Sequence, residues 1–204
     1  MTLEGRTKLL AVARAWAYPL WFSAMRSRSA DAVLEDVKWW AECIDDEELI
    51  SLDPFSKFAY FNGALPEFRT LVHYRLRGLP IVLRLVLKMI YRPPHHMILS
   101  AESIGPGLFI QHGHGMLIGA KTVGSHCWFN QDVTVGYVGK GNPTIGNNVR
   151  LAPGAVVLGP ITIHDGATIG PNAVVTHDVP AGEIMVTELA QPFSRPARDG
   201  DAPG

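Results

Sequence analysis

The sequence predicts an α+β chain. A helical N-terminal region, residues 1–95, leads into a left-handed parallel β-helix of hexapeptide repeats, residues 96–190, followed by a flexible tail, 191–204. Three observations predict it. Apolar residues recur at helical spacing through the first half. After Pro94, aliphatic residues return at every sixth position, a period that neither an α-helix nor an alternating strand produces. Glycines crowd the points at which a coil of short strands must turn sharply.

In the first half, Leu9, Leu10, Val12, Ala13, Trp16, Ala17, Leu20 and Trp21 fall on one helix face, and Pro19 is expected to kink or break that helix. A second helix is expected from Ser29, an N-cap residue type, carrying Val33, Val37, Trp40 and Ile44. Asp53-Pro54 opens a further element, Leu65 to Arg77 forms a helix that Gly78 can end, and a last helix runs toward Pro93-Pro94. Trp16, Trp21, Trp39 and Trp40 read as core rather than as a ligand platform. The most apolar stretch, Leu79 to Tyr91, is interrupted by Arg84 and Lys88 and is too short to span a bilayer. Such a basic amphipathic segment suits a core-facing helix or a membrane surface, and the core-facing reading is preferred.

In the second half, Ile145, Leu151, Val157, Ile163, Ile169 and Val175 are spaced by six without exception. Ile104, Ile110 and Met116 keep the same step upstream, as do Val123, Phe129 and Val135 after a slip of one residue. A triangular coil explains this: short strands form flat sides, and each aliphatic residue points to the axis. Three hexapeptides close a turn, so residues 104–178 supply about four coils. Gly105, Gly119, Gly124, Gly146, Gly154 and Gly170 are the expected corners. The register breaks between Val135 and Ile145, in an excursion from Gly136 to Pro143, and a loop thrown out of a strict repeat usually lies on the binding face. The repeat ends at Asp178-Val179-Pro180, and Pro192, Pro196 and Pro203 mark the tail.

With 47% hydrophobic and 18% charged residues and a formal net charge of -1, the composition is that of a globular protein and argues against an electrostatic nucleic-acid binder. Cys43 and Cys127 lack CxxC spacing and fit buried thiols in a reducing cytoplasm. Glu4, Arg6 and Lys8 precede a helical pattern, which is not the layout of a secretory leader. A cytoplasmic protein without stable membrane insertion is therefore expected.

Four stretches resemble serine O-acetyltransferases and the related hexapeptide acetyltransferases that modify sugars: Gly107 to Gly113 with its Gln111-His112-Gly113, Val133 to Gly136 with Gly139-Lys140, Pro143 to Gly146, and Gly154 to Ile163. The helical half is similar more faintly, through Asp53-Pro54 and Phe68 to Arg75. The resemblance implies transfer of an acetyl group from acetyl-CoA, as cosubstrate and without a metal, to a hydroxyl. It implies His112 as general base, since a neutral imidazole suits removal of an alcohol proton during attack on a thioester. Backbone amides near Gly136 and Tyr137 are candidate oxyanion donors. Coenzyme A is expected along Gly136, Tyr137, Gly139, Lys140, Ala152, Gly154, Ala155 and Gly170, where small residues leave the backbone open. Lys140 serves a coenzyme phosphate or is an ordinary loop lysine. Asp53, Gln111, His114 and Asn142 are candidate acceptor contacts; His114 lies two residues beyond His112, on the same side if the segment is a strand. A homotrimer, or a dimer of trimers, is implied, with each site between neighbouring prisms.

The chain departs from that family in four places. Gln111 stands where an aspartate precedes the histidine, Gly141-Asn142 where Arg-His contacts serine, and Met97 where an aspartate orients the base. Thr187-Glu188-Leu189-Ala190 replaces the usual end of the repeat. These changes remove charges that read an amino-acid headgroup, so serine or a serine-like amino acid competes with a sugar or natural-product hydroxyl as acceptor. Glu102, His95 and His96 are candidates to orient His112 in place of Met97. The remaining alternatives are a trimeric metalloenzyme using His112, His114 and His126, whose spacing fits poorly, and a scaffold, against which the motif-bearing excursion argues.

Overall fold

A computed structural model describes residues 3–139 and 141–188, with side chains from residue 9 onward; Lys140 and the tail at 191–204 lie outside the described residues. The helical half comprises α1 (Leu3–Met25), α2 (Ala30–Ile44), α3 (Glu47–Ser51), α4 (Pro54–Ala64), α5 (Pro66–Arg75), a 3-10 turn at Leu76–Gly78, and α6 (Ile81–Ile90).

Pro19 does not break α1, which runs through it. Ala17, Leu20 and Ala24, on either side of the proline, are fully buried, and their packing offsets the hydrogen bond lost there. The Tyr91 hydroxyl donates to the Trp16 carbonyl at 2.6 Å, beside the gap. Ser29 does precede α2, but its hydroxyl donates to the Arg75 carbonyl at 2.9 Å instead of capping. Asp53 caps α4, accepting from the Phe55 and Ser56 amides, each at 3.1 Å, with Pro54 at the position where a missing N–H costs nothing. Trp40 is core, edge-on to Phe68 and Phe109 at 5.1 and 5.0 Å, whereas Trp16 remains 40% exposed. The core-facing expectation for α6 is overturned: of its ten residues only Leu87 is buried.

Among the described residues fourteen short strands follow, from β1 (Met97–Leu99) to β14 (Ile184–Met185). They stack in parallel as three sheets, β1-β4-β7-β10-β13, β2-β5-β8-β11 and β3-β6-β9-β12-β14. Four complete turns result, and β13 and β14 continue into a fifth. The coil thus begins before Ile104 and continues past Asp178: Met97 pairs with Met116, and Ile169 with Met185. The period of six has the expected cause. Ile110, Phe129, Leu151 and Ile169 stack in register and are buried, as are Val135, Val157 and Val175 of the first sheet and Ile104, Val123, Ile145 and Ile163 of the second.

One glycine column shows how tightly successive coils close. A Cβ on Gly124 would lie 2.5 Å from the carbonyl carbon and oxygen of Gly146, and one on Gly105 would lie 2.8 Å from those of Gly124. Gly63, near the end of α4, has nothing within 4 Å of such a position. Gly124→Ala is expected to destabilise by several kcal/mol because backbone must move, whereas Gly63→Ala stabilises by up to about 1 kcal/mol through helix propensity. Urea unfolding of the two variants measures the contrast.

The two halves are joined by a buried ion pair. Arg75 on α5 donates bidentately to Asp36 on α2 at 2.8 and 2.9 Å, to the Gly105 carbonyl at 2.6 Å and to the Ile104 carbonyl. Asp36 also accepts the Gly107 amide at 2.8 Å, and the Trp40 indole donates to the Leu108 carbonyl at 2.7 Å. Both charged side chains are at most 4% exposed. Asp36→Ala strands a buried guanidinium and is expected to cost about 3–5 kcal/mol, whereas joint replacement of Asp36 and Arg75 by leucine and methionine recovers most of the loss; chemical denaturation of both variants reads the difference.

Candidate active site

Residues 111–115 carry the chain from β3 (Phe109–Ile110) to β4 (Met116–Ile118), around one corner of the first turn. The local backbone is unusual: His112 has φ 56°, a left-handed conformation costly for a residue with a Cβ. The surroundings impose it. The His114 amide bonds the His112 carbonyl at 2.7 Å, and the Gly113 amide donates to Glu67 Oε1 at 3.2 Å. Gly113 is closely packed: a Cβ there would lie 2.5 Å from Met97 Sδ and 2.9 Å from Glu67 Cγ, so those side chains would have to shift. α5 and β1 therefore close on the turn from the inside, and the His112 side chain is left exposed on the outside.

The neighbouring candidates sort out as follows. Gln111 does not offer a free amide oxygen, since Trp128 Nε1 donates to its Oε1 at 3.1 Å. The Arg150 guanidinium lies over the Trp128 ring at 4.5 Å, and these two side chains help line a cleft of about 250 Å³ between α2 and the third sheet. His114 does not share a strand face with His112, because the segment is a turn; its ring stacks on His96 at 4.3 Å, nearly parallel. His126 sits at a different corner, paired with Glu35 at 2.9 Å, so it does not join His112 and His114. That bond holds the Glu35 carboxyl below its ordinary range. Among the described residues no group of three or more histidine, cysteine or acidic side chains is arranged to hold a metal ion.

Asp53 is engaged within the chain. Besides the two cap bonds, its Oδ2 accepts the Ser56 hydroxyl at 2.5 Å and Arg14 at 3.2 Å, and the Ser56 bond is the largest cause of a depressed pKa. An ammonium group would compete with Arg14 for that carboxylate. The excursion forms a small hairpin bridged antiparallel between Val138 and Gly141; Gly139 has φ 66°, and the exposed Tyr137 donates its hydroxyl to the Gly139 carbonyl. Gly136 ends β7 (Thr134–Gly136), and Asn142 is half-buried behind the hairpin.

Ala152 and Gly154 are half-exposed on the same corner of the coil as His112, two turns further on, where backbone is accessible. Ala155 and Gly170 are not: both are buried. A Cβ on Gly170 would lie 2.7 Å from the Met185 carbonyl, so a residue without a side chain is needed there to admit the next coil. The two cysteines are structural thiols, each pushed up to about 12 chiefly by burial.

Comparison with known proteins places these features. The family of bacterial transferase hexapeptide repeats matches residues 142–177. The serine acetyltransferase of Helicobacter pylori (strain ATCC 700392 / 26695) is 42% identical over 97 residues, 45% of this chain and 57% of that protein. That of Synechococcus elongatus is 37% identical over 132 residues, 59% and 54% of the two chains. The chain thus spans somewhat more than half the length of these curated relatives. Soybean serine acetyltransferase, solved in complex with serine, superposes with a TM-score of 0.61 at 27% identity, covering 85% of this chain and 74% of that one. The resemblance is to serine acetyltransferases. In fold it takes in both the helices and the coil, since a share of 85% exceeds either half.

The contact of Glu67 with the His112 turn was not legible in the sequence. Among the described residues no hydrogen bond links Glu102, His95 or His96 to the turn, although the His96 ring stacks on His114; Glu102 is exposed, and its carbonyl accepts from Arg77. Glu67, 46 residues before Gly113, supplies the carboxylate. Glu67→Ala leaves a buried amide unsatisfied and is expected to cost about 1–3 kcal/mol, whereas Glu67→Gln keeps an acceptor and most of the stability. Thermal unfolding of both variants distinguishes this bond from simple loss of charge.

Proposed function

We propose that this chain is an acetyl-CoA-dependent O-acetyltransferase acting on the hydroxyl of serine or a serine-like amino acid, with His112 as general base. The observation that carries the reading is the His112 turn: an exposed imidazole on a backbone locked by Glu67 and Met97, in a chain whose likeness is to serine acetyltransferases. The acceptor hydroxyl gives its proton to the imidazole as its oxygen attacks the thioester carbonyl. The tetrahedral oxyanion is held by backbone amides at Gly136 and Tyr137. Collapse breaks the carbon–sulfur bond, and the imidazolium returns the proton to the departing thiolate, leaving an acetyl ester and coenzyme A. The pantetheine arm follows the corner past Ala152 and Gly154 toward Gly139, and Lys140, outside the described residues, is the candidate for a coenzyme phosphate. His114 takes no proton in this scheme.

We further propose a homotrimer. The outward residues of the first sheet form a ladder, Ile98, Leu117, Thr134, Val156 and Val174, in register and mostly apolar, whereas the second presents Ser103, Thr122, Thr144 and Thr162. An apolar ladder of this kind favours burial against another subunit. Among the described residues no helix is long and apolar enough to cross a membrane.

A second acceptor class is favoured by one observation. Gln111 is tied to Trp128, and Gly141-Asn142 offers no fixed charge, so the region around His112 suits a neutral polyol at least as well as a zwitterion. Thiol release from acetyl-CoA by the purified protein tests both. With L-serine, His112→Ala is expected to lower the rate about 100- to 10,000-fold. His112-dependent release with hydroxylated sugars but not serine moves the acceptor to the second class. Equal rates in wild type and variant remove His112 as the base.

A further inference from the structure

α6 is covered on one side only. Ile81, Val82, Leu85, Val86, Met89 and Ile90 are between 46% and 73% exposed and lie on one arc of the helix. The opposite side carries Leu87, the one buried residue, flanked by Arg84 and Lys88. These two cations, with Arg77 and His73, line a cleft of about 370 Å³ between α6 and β1. Burial and the surrounding cations Lys88, Arg69 and Arg84 push the His73 imidazole down, against the pull of its bond to the Tyr91 carbonyl. No ion pair among the described residues involves Arg84 or Lys88. The wider segment is basic throughout: from Phe68 to Ala101, 34 residues hold six arginines and lysines and not one acidic residue.

We propose that α6 seats this protein on an anionic lipid surface, its apolar arc entering the boundary between headgroups and acyl chains. Arg84, Lys88 and the basic cleft behind them meet headgroup phosphates. The chemistry selects this occupant. An amphipathic helix with large apolar residues on one face and cations at its edge lies in a membrane interface, neither spanning it nor dissolving in water. A second copy packed arc on arc would cover the apolar residues but leave Arg84, Lys88 and the basic cleft behind them without a counter-charge, since residues 68–101 include no acidic residue. A negatively charged bilayer satisfies the cations and the apolar arc together. This inference is independent of the reaction proposed above.

Co-sedimentation of the full chain with vesicles tests it. Wild type is expected to bind phosphatidylcholine–phosphatidylglycerol vesicles in low salt, and to bind phosphatidylcholine vesicles far more weakly. Replacing both Arg84 and Lys88 by glutamine is expected to weaken partitioning roughly tenfold or more, and added salt does the same. Val82→Glu with Met89→Glu is expected to abolish binding while thermal unfolding and molecular mass stay unchanged, since both side chains are at least 70% exposed. Failure of wild type to bind either vesicle overturns the proposal. So does binding that survives the double glutamate variant. A fall in mass in that variant, without vesicle binding by wild type, assigns the face to a second copy instead.

Discussion

One buried guanidinium fixes the relation between the helices and the coil. Arg75 is bound by α2 through Asp36 and by the first turn of the coil through two carbonyls, while Asp36 reaches the same turn through Gly107. Burial pushes the Asp36 carboxyl up, and the guanidinium and the Gly107 amide pull against it. A pair so placed contributes registry more than net stability, because desolvation cancels much of the attraction. Its consequence lies eight residues upstream on the same helix, about 12 Å along its axis. There Glu67 meets the Gly113 amide, so the pair that docks α5 also sets the carboxylate that closes the His112 turn. Slippage at Asp36 would misplace the turn without touching His112.

The parts of the fold legible in the sequence are those that repeat. An aliphatic residue every six positions has one physical cause, an axis shared by stacked coils, and every residue chosen on that ground is buried, from Ile104 to Val175. The ends of the coil were less legible. Met97 and Ile184 sit where the step of six has lapsed, yet backbone pairing with Met116 and Thr168 carries the sheets on. Periodicity also left α6 undecided. It shows that a helix has an apolar face, not what covers it, and here Leu87 alone is buried. Pro19 does not break α1, since the burial of Ala17, Leu20 and Ala24 around it offsets a proline's local penalty.

The site divides along a similar line. The motif around His112 was legible as sequence through its resemblance, and the structure adds that Gly113 packs closely against the Met97 and Glu67 side chains. Two of the small residues assigned to the coenzyme, Ala155 and Gly170, are buried, so composition alone does not separate the two uses of a small residue in a solenoid. Small residues serve both ligand access and coil stacking, and only the next coil's position tells them apart. Glu67 and Asp36 carried no signal, because each acts on partners 39 or more residues away in sequence, and neither belongs to a repeat.

The faces of the molecule follow from the same economy. A triangular coil must turn its axis residues inward, which leaves every alternate position free to be chosen for the surface. The second sheet spends those positions on serine and threonine, and the third places Trp128 and Arg150 beside Gln111. The first spends them on aliphatic residues from Ile98 to Val174, a choice costly in water and sensible against another subunit. α6 repeats that choice on a helix, but with unpaired cations at its edge in place of neutral neighbours. An apolar strip between neutral residues suits a protein surface, and an apolar strip edged by arginine and lysine suits phosphate. The two exposed apolar faces of one small chain are therefore distinguished by the charge beside them, which is why they are assigned different partners.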